Sequence, residues 1–197
     1  YDFPLGAVEL TDLNNWCSPE AAYTTINATG DALKGTCWPN GPNFDRWFRF
    51  QATTNEALVQ MKTGGTEGTL RYGMVAIWDA SFNEVACNRY TAQYSDVVVG
   101  VTTLTPGNWY YISVDNHGGS TGYRGTFTLC INDVVDYDFR EGAYEIANYD
   151  AWCSADQEFS TLGATADGTA GSCWPNGPTY NRWFKFQATG TEVMFNV

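Results

Sequence analysis

The sequence predicts an all-β fold, an antiparallel β-sandwich of jelly-roll-like type, built as a tandem repeat. Three observations carry this expectation. Apolar and polar residues alternate over short stretches, as a strand buried on one face requires. Turn residues separate these stretches at intervals of about 8 to 12 residues. Helical periodicity is scarce: Ser18, Pro19, Glu20, Ala21 and Ala22 suit at most one turn.

In chain order, residues 8 to 37 read as an irregular leader that a disulfide would hold against the sheets. The CWPNGP turn at Cys37 to Pro42, with two prolines and a glycine, then delivers the chain into the first long strand in a fixed direction. In that strand Phe48, Phe50 and Ala52 share the core face, while Trp47, Arg49 and Gln51 take the other. Further strands are expected at 57–62, 69–78, 84–88, 97–104, 109–115 and 124–131. The stretches Thr63-Gly64-Gly65-Thr66, Thr105-Pro106-Gly107-Asn108 and His117-Gly118-Gly119-Ser120 supply reversals between them.

The segment CWPNGPNFDRWFRFQAT, from Cys37 to Thr53, returns as CWPNGPTYNRWFKFQAT, from Cys173 to Thr189. Shifting the chain on itself by 136 residues aligns Tyr1 with Tyr137, Cys17 with Cys153 and Trp47 with Trp183 without a gap, and 28 of 61 overlapping positions are identical. A period this long is a domain and not a solenoid unit. Residues 1–136 are therefore expected to form a complete disulfide-pinned sandwich repeat, and 137–197 the N-terminal part of a second, incomplete copy. The joint from Ile131 to Phe139 has no Gly or Pro run, so consecutive copies should meet at a fixed angle. The second copy reaches only the strand equivalent to residues 56–61, which leaves apolar strand faces to be covered. Either the polypeptide continues, the preferred reading, or another molecule completes the half domain by strand donation, which would build a filament.

The six cysteines, Cys17, Cys37, Cys87, Cys130, Cys153 and Cys173, include no C-x-x-C and no nearby His, so disulfides are expected rather than zinc. Only Cys17 and Cys37 have counterparts in the second copy. This phase pairs Cys17 with Cys37 and Cys153 with Cys173, and leaves Cys87 for Cys130. An even count, few Lys, and many Gly, Asn, Thr and Tyr point to an oxidising exterior compartment. A net charge of −12 argues against nucleic acid or an anionic bilayer as partner. There is no run of 18 apolar residues and no signal-peptide pattern at the start, so the chain reads as soluble, with any export signal removed or outside this sequence.

Residues 45–131 resemble the bacterial pre-peptidase C-terminal domain, a β-sandwich appended to many secreted proteins. The features that carry the resemblance are Arg46-Trp47-Phe48-Arg49-Phe50, the strand Val75 to Asp79, and the ending Leu104-Thr105-Pro106-Gly107-Asn108-Trp109-Tyr110-Tyr111 followed by Gly122 to Leu129. The disulfide-bearing leader looks like the variant found in tandem arrays of large Bacteroidetes surface proteins, gliding and adhesion proteins exported by the type IX route. The resemblance implies an accessory role in binding, spacing or display, with neighbouring copies of the repeat and an extracellular polysaccharide or surface as partners. It requires no cofactor, and it admits calcium. The nominees for calcium are Asp2, Glu9, Asp31 and Glu56, acidic also at 138, 145, 167 and 192, against the plainer reading of a solvated acidic surface.

Catalytic constellations are thin. The one histidine, His117, lies in a turn beside two glycines, and there is no G-x-S-x-G, H-E-x-x-H or phosphate-cradling loop. The chain is therefore expected to be non-enzymatic. Eight Trp and twelve Tyr suit either a core or a sugar-stacking platform, and Trp38 and Trp174, in the CWPNGP turns, are the candidate ligand contacts. The expected function is an extracellular stalk or adhesin module of a large bacterial surface protein, with a carbohydrate-binding module attached to a secreted enzyme as the alternative.

Overall fold

A computed structural model gives the fold, and it describes residues 1–14, 16–132, 137, 140, 143–147, 149, 151–155, 159, 161, 164, 166 and 170–196. The joint residues 133–136, 138 and 139 and the counterpart acids Asp138 and Asp167 lie outside them. The chain divides into two compact units, unit 1 at Tyr1–Val135 and unit 2 at Asp136–Val197. Among the described residues there is no α-helix, and hence no helix long and apolar enough to cross a membrane.

Unit 1 is an all-β sandwich. Its strands are β1 (Val8–Glu9), β2 (Trp16–Cys17), β3 (Tyr23–Thr24), β4 (Arg46–Gln51), β5 (Ala57–Lys62), β6 (Gly73–Asp79), β7 (Glu84–Arg89), β8 (Val97–Val101), β9 (Trp109–Asn116) and β10 (Thr126–Asn132). One sheet runs β1-β4-β9-β6-β7; the other runs β2-β10-β5-β8, with β3 also paired to β10. Pairing is antiparallel throughout unit 1 except between β1 and β4.

The period-two reading of β4 holds on its core face: Phe48, Phe50 and Ala52 are buried between the sheets with Ile77, Ile112 and Val114 of their own sheet. From the facing sheet come Val59, Met61, Val99, Phe127, Leu129 and Ile131. On the opposite face Trp47 is buried as well, while Arg49 is half-buried and Gln51 exposed. Trp47, Met74, Ala76 and Trp78 form a second cluster with Trp38, under the segment that leads into β4. This explains why β6 is buried along nearly its whole length instead of alternating. At about 25 cal/mol per Å2 of apolar surface, a fully buried aromatic contributes on the order of 2–3 kcal/mol. The leader is thus a third layer and part of the core.

The cysteine pairing differs from the expectation. Cys17 bonds to Cys130 and Cys37 to Cys87, while Cys153 and Cys173 are free and exposed. Register explains the first bond, because Cys17 and Cys130 are direct partners across β2 and β10. Packing explains the second: the CWPNGP turn lies on the outer face of the first sheet, next to β7, which carries Cys87.

Unit 2 contains β11 (Tyr144–Glu145) and β12 (Phe184–Lys185). They pair in parallel, Tyr144 with Phe184 and Glu145 with Lys185, each 136 residues beyond the β1–β4 pairs Val8 with Phe48 and Glu9 with Arg49. Smaller contacts recur at the same offset. Trp47 N–H donates to Tyr1 O at 2.8 Å, and Trp183 N–H to Tyr137 O at 2.7 Å. The rings of Tyr1, Tyr23 and Phe48 form a triplet, and so do those of Tyr137, Phe159 and Phe184. Arg46 lies over Tyr1 at 4.7 Å and Arg182 over Tyr137 at 5.0 Å.

Candidate functional site

Two places in unit 1 concentrate polar chemistry. The first lies beneath the CWPNGP turn. Gly41 there has φ of 97°, a conformation open to glycine, and a Cβ on it would meet Asp115 Oδ2 at 2.9 Å. The turn can therefore press its backbone onto a carboxylate: Asn43 N–H and Phe44 N–H donate to Asp115 at 2.7 and 2.9 Å. Asn40 Oδ1 accepts from Gly118 N–H at 2.8 Å, fixing the other edge of the turn.

Beside Asp115, Asp45 is wholly buried and accepts from Trp47 Nε1–H at 2.5 Å and from Asp31 N–H at 3.1 Å. Burial pushes the Asp45 carboxyl up to about 8, and the Asp31 charge adds to this; the Trp47 bond acts in the other direction and loses. Burial raises Asp115 too, against three backbone N–H donors that hold it down. Burial thus makes the charged form of Asp45 costly, and near neutral pH the protonated carboxyl is the favoured form. In unit 2 the position of Asp45 is taken by Asn181, a neutral group of the same shape. The arrangement serves as an internal clasp for the third layer.

The second place is an aromatic cluster at one end of the first sheet. Antiparallel pairing brings the start of β6 and the ends of β7 and β9 together, which gathers Tyr72, Tyr90 and His117; Tyr123 joins them from the short 3-10 turn Thr121–Tyr123. Ring centroids of Tyr72 lie 5.0 Å from both Tyr90 and Tyr123, and Tyr90 Oη is 3.1 Å from His117 Nδ1. Arg71 Nε–H donates to the hydroxyl of the exposed Tyr94 at 2.9 Å. All four tyrosines keep part of their rings in solvent. Amphipathic rings with hydroxyl, imidazole and guanidinium groups in reach suit stacking and hydrogen bonding to a polymer with flat or polyhydroxylated faces. His117 engages a phenol here. Sequence reasoning missed this group; Tyr72, Tyr90 and His117 each sit directly beside an end of β6, β7 or β9, but Tyr72 falls inside the expected strand 69–78, which hid the pattern.

The nominated residues fall elsewhere. Trp38 is 2% exposed, packed in the second core cluster, and offers no ring face to a ligand, whereas Trp174 is 49% exposed. Asp2 accepts from Arg46 at 2.9 Å and from Thr29 at 2.8 and 3.0 Å. Glu9 pairs with Arg49 at 2.7 Å, Asp31 accepts from Leu33 N–H at 2.7 Å, and Glu56 is buried at the edge of β5. The structure does not bring the four together, and among the described residues no group of three or more His, Cys, Asp or Glu is arranged to hold a metal ion.

No family model and no curated protein matches the chain. Among solved structures it is similar to the pre-peptidase C-terminal domain of a collagenase from Bacillus anthracis, at 13% identity and a TM-score of 0.38, over 64% of this chain and 94% of that one. At that distance the likeness carries no functional argument.

Proposed function

We propose that this chain is a load-bearing, non-catalytic module of an extracellular repeat protein, a stalk or adhesin segment. One observation carries the reading: the Cys17–Cys130 disulfide closes 113 residues of unit 1 into a loop whose two ends are adjacent in space. Tension applied along the chain enters near the start of the unit, crosses the disulfide and leaves near its end. The sandwich is bypassed. Within unit 1 only about 20 residues outside the loop can lengthen, about 70 Å at full extension, whereas reduction would release about 113 more, about 400 Å. Such wiring suits a part that must keep its length, and the two disulfides suit an oxidising exterior. The further expectation, a type IX client on a gliding or adhesive Bacteroidetes surface, is supported by the sequence resemblance alone.

Single-molecule stretching of the full chain, oxidised and then reduced, tests the proposal. The oxidised molecule should show no extension step from within the loop, and the reduced one should gain it. A long step in the oxidised molecule would remove the mechanical role.

The aromatic cluster favours a second component, adhesion to an extracellular polysaccharide. Loss of polysaccharide retention on Tyr94→Ala and Tyr123→Ala, with unchanged unfolding, would assign it; retention unaffected by both would leave a spacer.

A further inference from the structure

We infer that the polymer held at the aromatic end of unit 1 is a polyuronate, a polysaccharide that carries a carboxylate on each sugar ring. The inference rests on the adhesive component proposed above and adds the charge of its ligand.

Three segments build that end, residues 68–74, 88–95 and 116–126, and backbone bonds lace them together. Arg71 N–H donates to Tyr123 O at 3.0 Å, His117 N–H to Tyr72 O at 3.0 Å, Tyr72 N–H to Gln93 O at 3.0 Å and Tyr90 N–H to Gly73 O at 2.8 Å. The whole chain has 22 acidic residues against 10 Lys and Arg, yet these segments contain three arginines, the one histidine and no Asp or Glu. The acids that flank them are engaged elsewhere. Glu67 pairs with Lys62, Asp96 accepts from Thr63 N–H at 3.1 Å and Gln60 Nε2–H at 3.2 Å, and Asp115 is buried under the CWPNGP turn.

Each tyrosine of the cluster has an arginine beside it in the chain: Arg71 with Tyr72, Arg89 with Tyr90, and Arg124 with Tyr123. Among the described residues none of these three arginines has a carboxylate partner, whereas Arg46, Arg49 and Lys62 of the same unit do. Arg71 and Arg124 lie over the rings of Tyr94 and Phe44, at 5.6 and 4.6 Å, and Arg89 is exposed. A guanidinium resting on a ring keeps its planar fork of N–H donors for a carboxylate from outside. One cation for each stacking ring matches a polymer with one anion for each sugar. A neutral polysaccharide would use the rings and leave the arginines idle. The net charge of −12 restricts such a polymer to this end, where the sign of the charge is reversed.

The test measures retardation of the full oxidised chain in native gels containing polygalacturonate, alginate, or fully methyl-esterified polygalacturonate, which keeps the backbone and removes its charge. Both polyuronates should retain the chain, the ester about tenfold more weakly, and added salt should reduce the retention. Arg89→Gln and Arg124→Gln should each lower the affinity severalfold with urea unfolding unchanged, while Arg49→Gln, a change at an arginine paired with Glu9, should not. Equal retention by the ester would overturn the inference and leave the adhesive reading standing; no retention by any polymer would remove both. Tighter retention by dextran sulfate or single-stranded DNA, or parental retention of both Arg89→Gln and Arg124→Gln, would also overturn it.

Discussion

Cys17 and Cys130 face each other across the antiparallel β2–β10 pair and are joined by a disulfide, so the leader and the last strand of unit 1 are one covalent edge. The second bond, Cys37 to Cys87, ties the CWPNGP turn to β7 inside that loop. The leader is thus fastened to both sheets.

Removing either bond should destabilise unit 1 through the unfolded chain. Loop separations of 113 and 50 residues correspond to about 5 and about 4 kcal/mol in the chain-entropy model. Urea unfolding of Cys130→Ser and Cys87→Ser should show losses of that order, and both deficits should vanish when all proteins are compared under reducing conditions. Deficits that persist in reductant would place the effect in packing instead.

Trp38→Ala should cost about 3–5 kcal/mol, because it opens a cavity beside Trp47, Met74 and Trp78. Trp174→Ala, at the matching position, should change the stability of the same chain by under about 1 kcal/mol, since its ring is half in solvent. Chemical denaturation followed by tryptophan fluorescence measures both. Equal losses would contradict the assignment of one ring to a core and the other to a surface.

Asp45 gives the fold a pH dependence. Its carboxyl sits near 8 in the fold against 3.8 for an ordinary aspartate, so between these values the folded chain holds a proton that the unfolded chain has released. Stability from this group is full below about pH 4, declines as pH rises, and levels off above about 8. Asp45→Asn, which copies Asn181, should flatten the profile and be more stable than the natural chain at pH 8 by about 2–4 kcal/mol. A variant as pH-dependent as the parent would show that another group carries the slope.

The strands were legible because alternation and turn residues are local properties. The expected span 57–62 is β5 as found, and the others end within a few residues of their expected limits, apart from β6, which starts later, and β8, which stops earlier. Trp47 marks the limit of that reasoning: it lies on the face opposite Phe48, and nothing in a single strand reveals that a third layer covers it. The pairing of the cysteines was misread for a related reason. The overlap of the two copies contains the counterparts of Cys17 and Cys37 only, so phase identified which cysteines recur but not their partners, which lie on β10 and β7. The aromatic cluster is a product of strand order, which places Tyr72, Tyr90 and His117 together although they are far apart in sequence.

Peptide mapping of the oxidised full chain without reduction tests the account at its root. Linked peptides should join Cys17 to Cys130 and Cys37 to Cys87, with alkylatable thiols at Cys153 and Cys173. A peptide joining Cys17 to Cys37 would leave the last strand of unit 1 untethered and would contradict a load path that bypasses the sandwich.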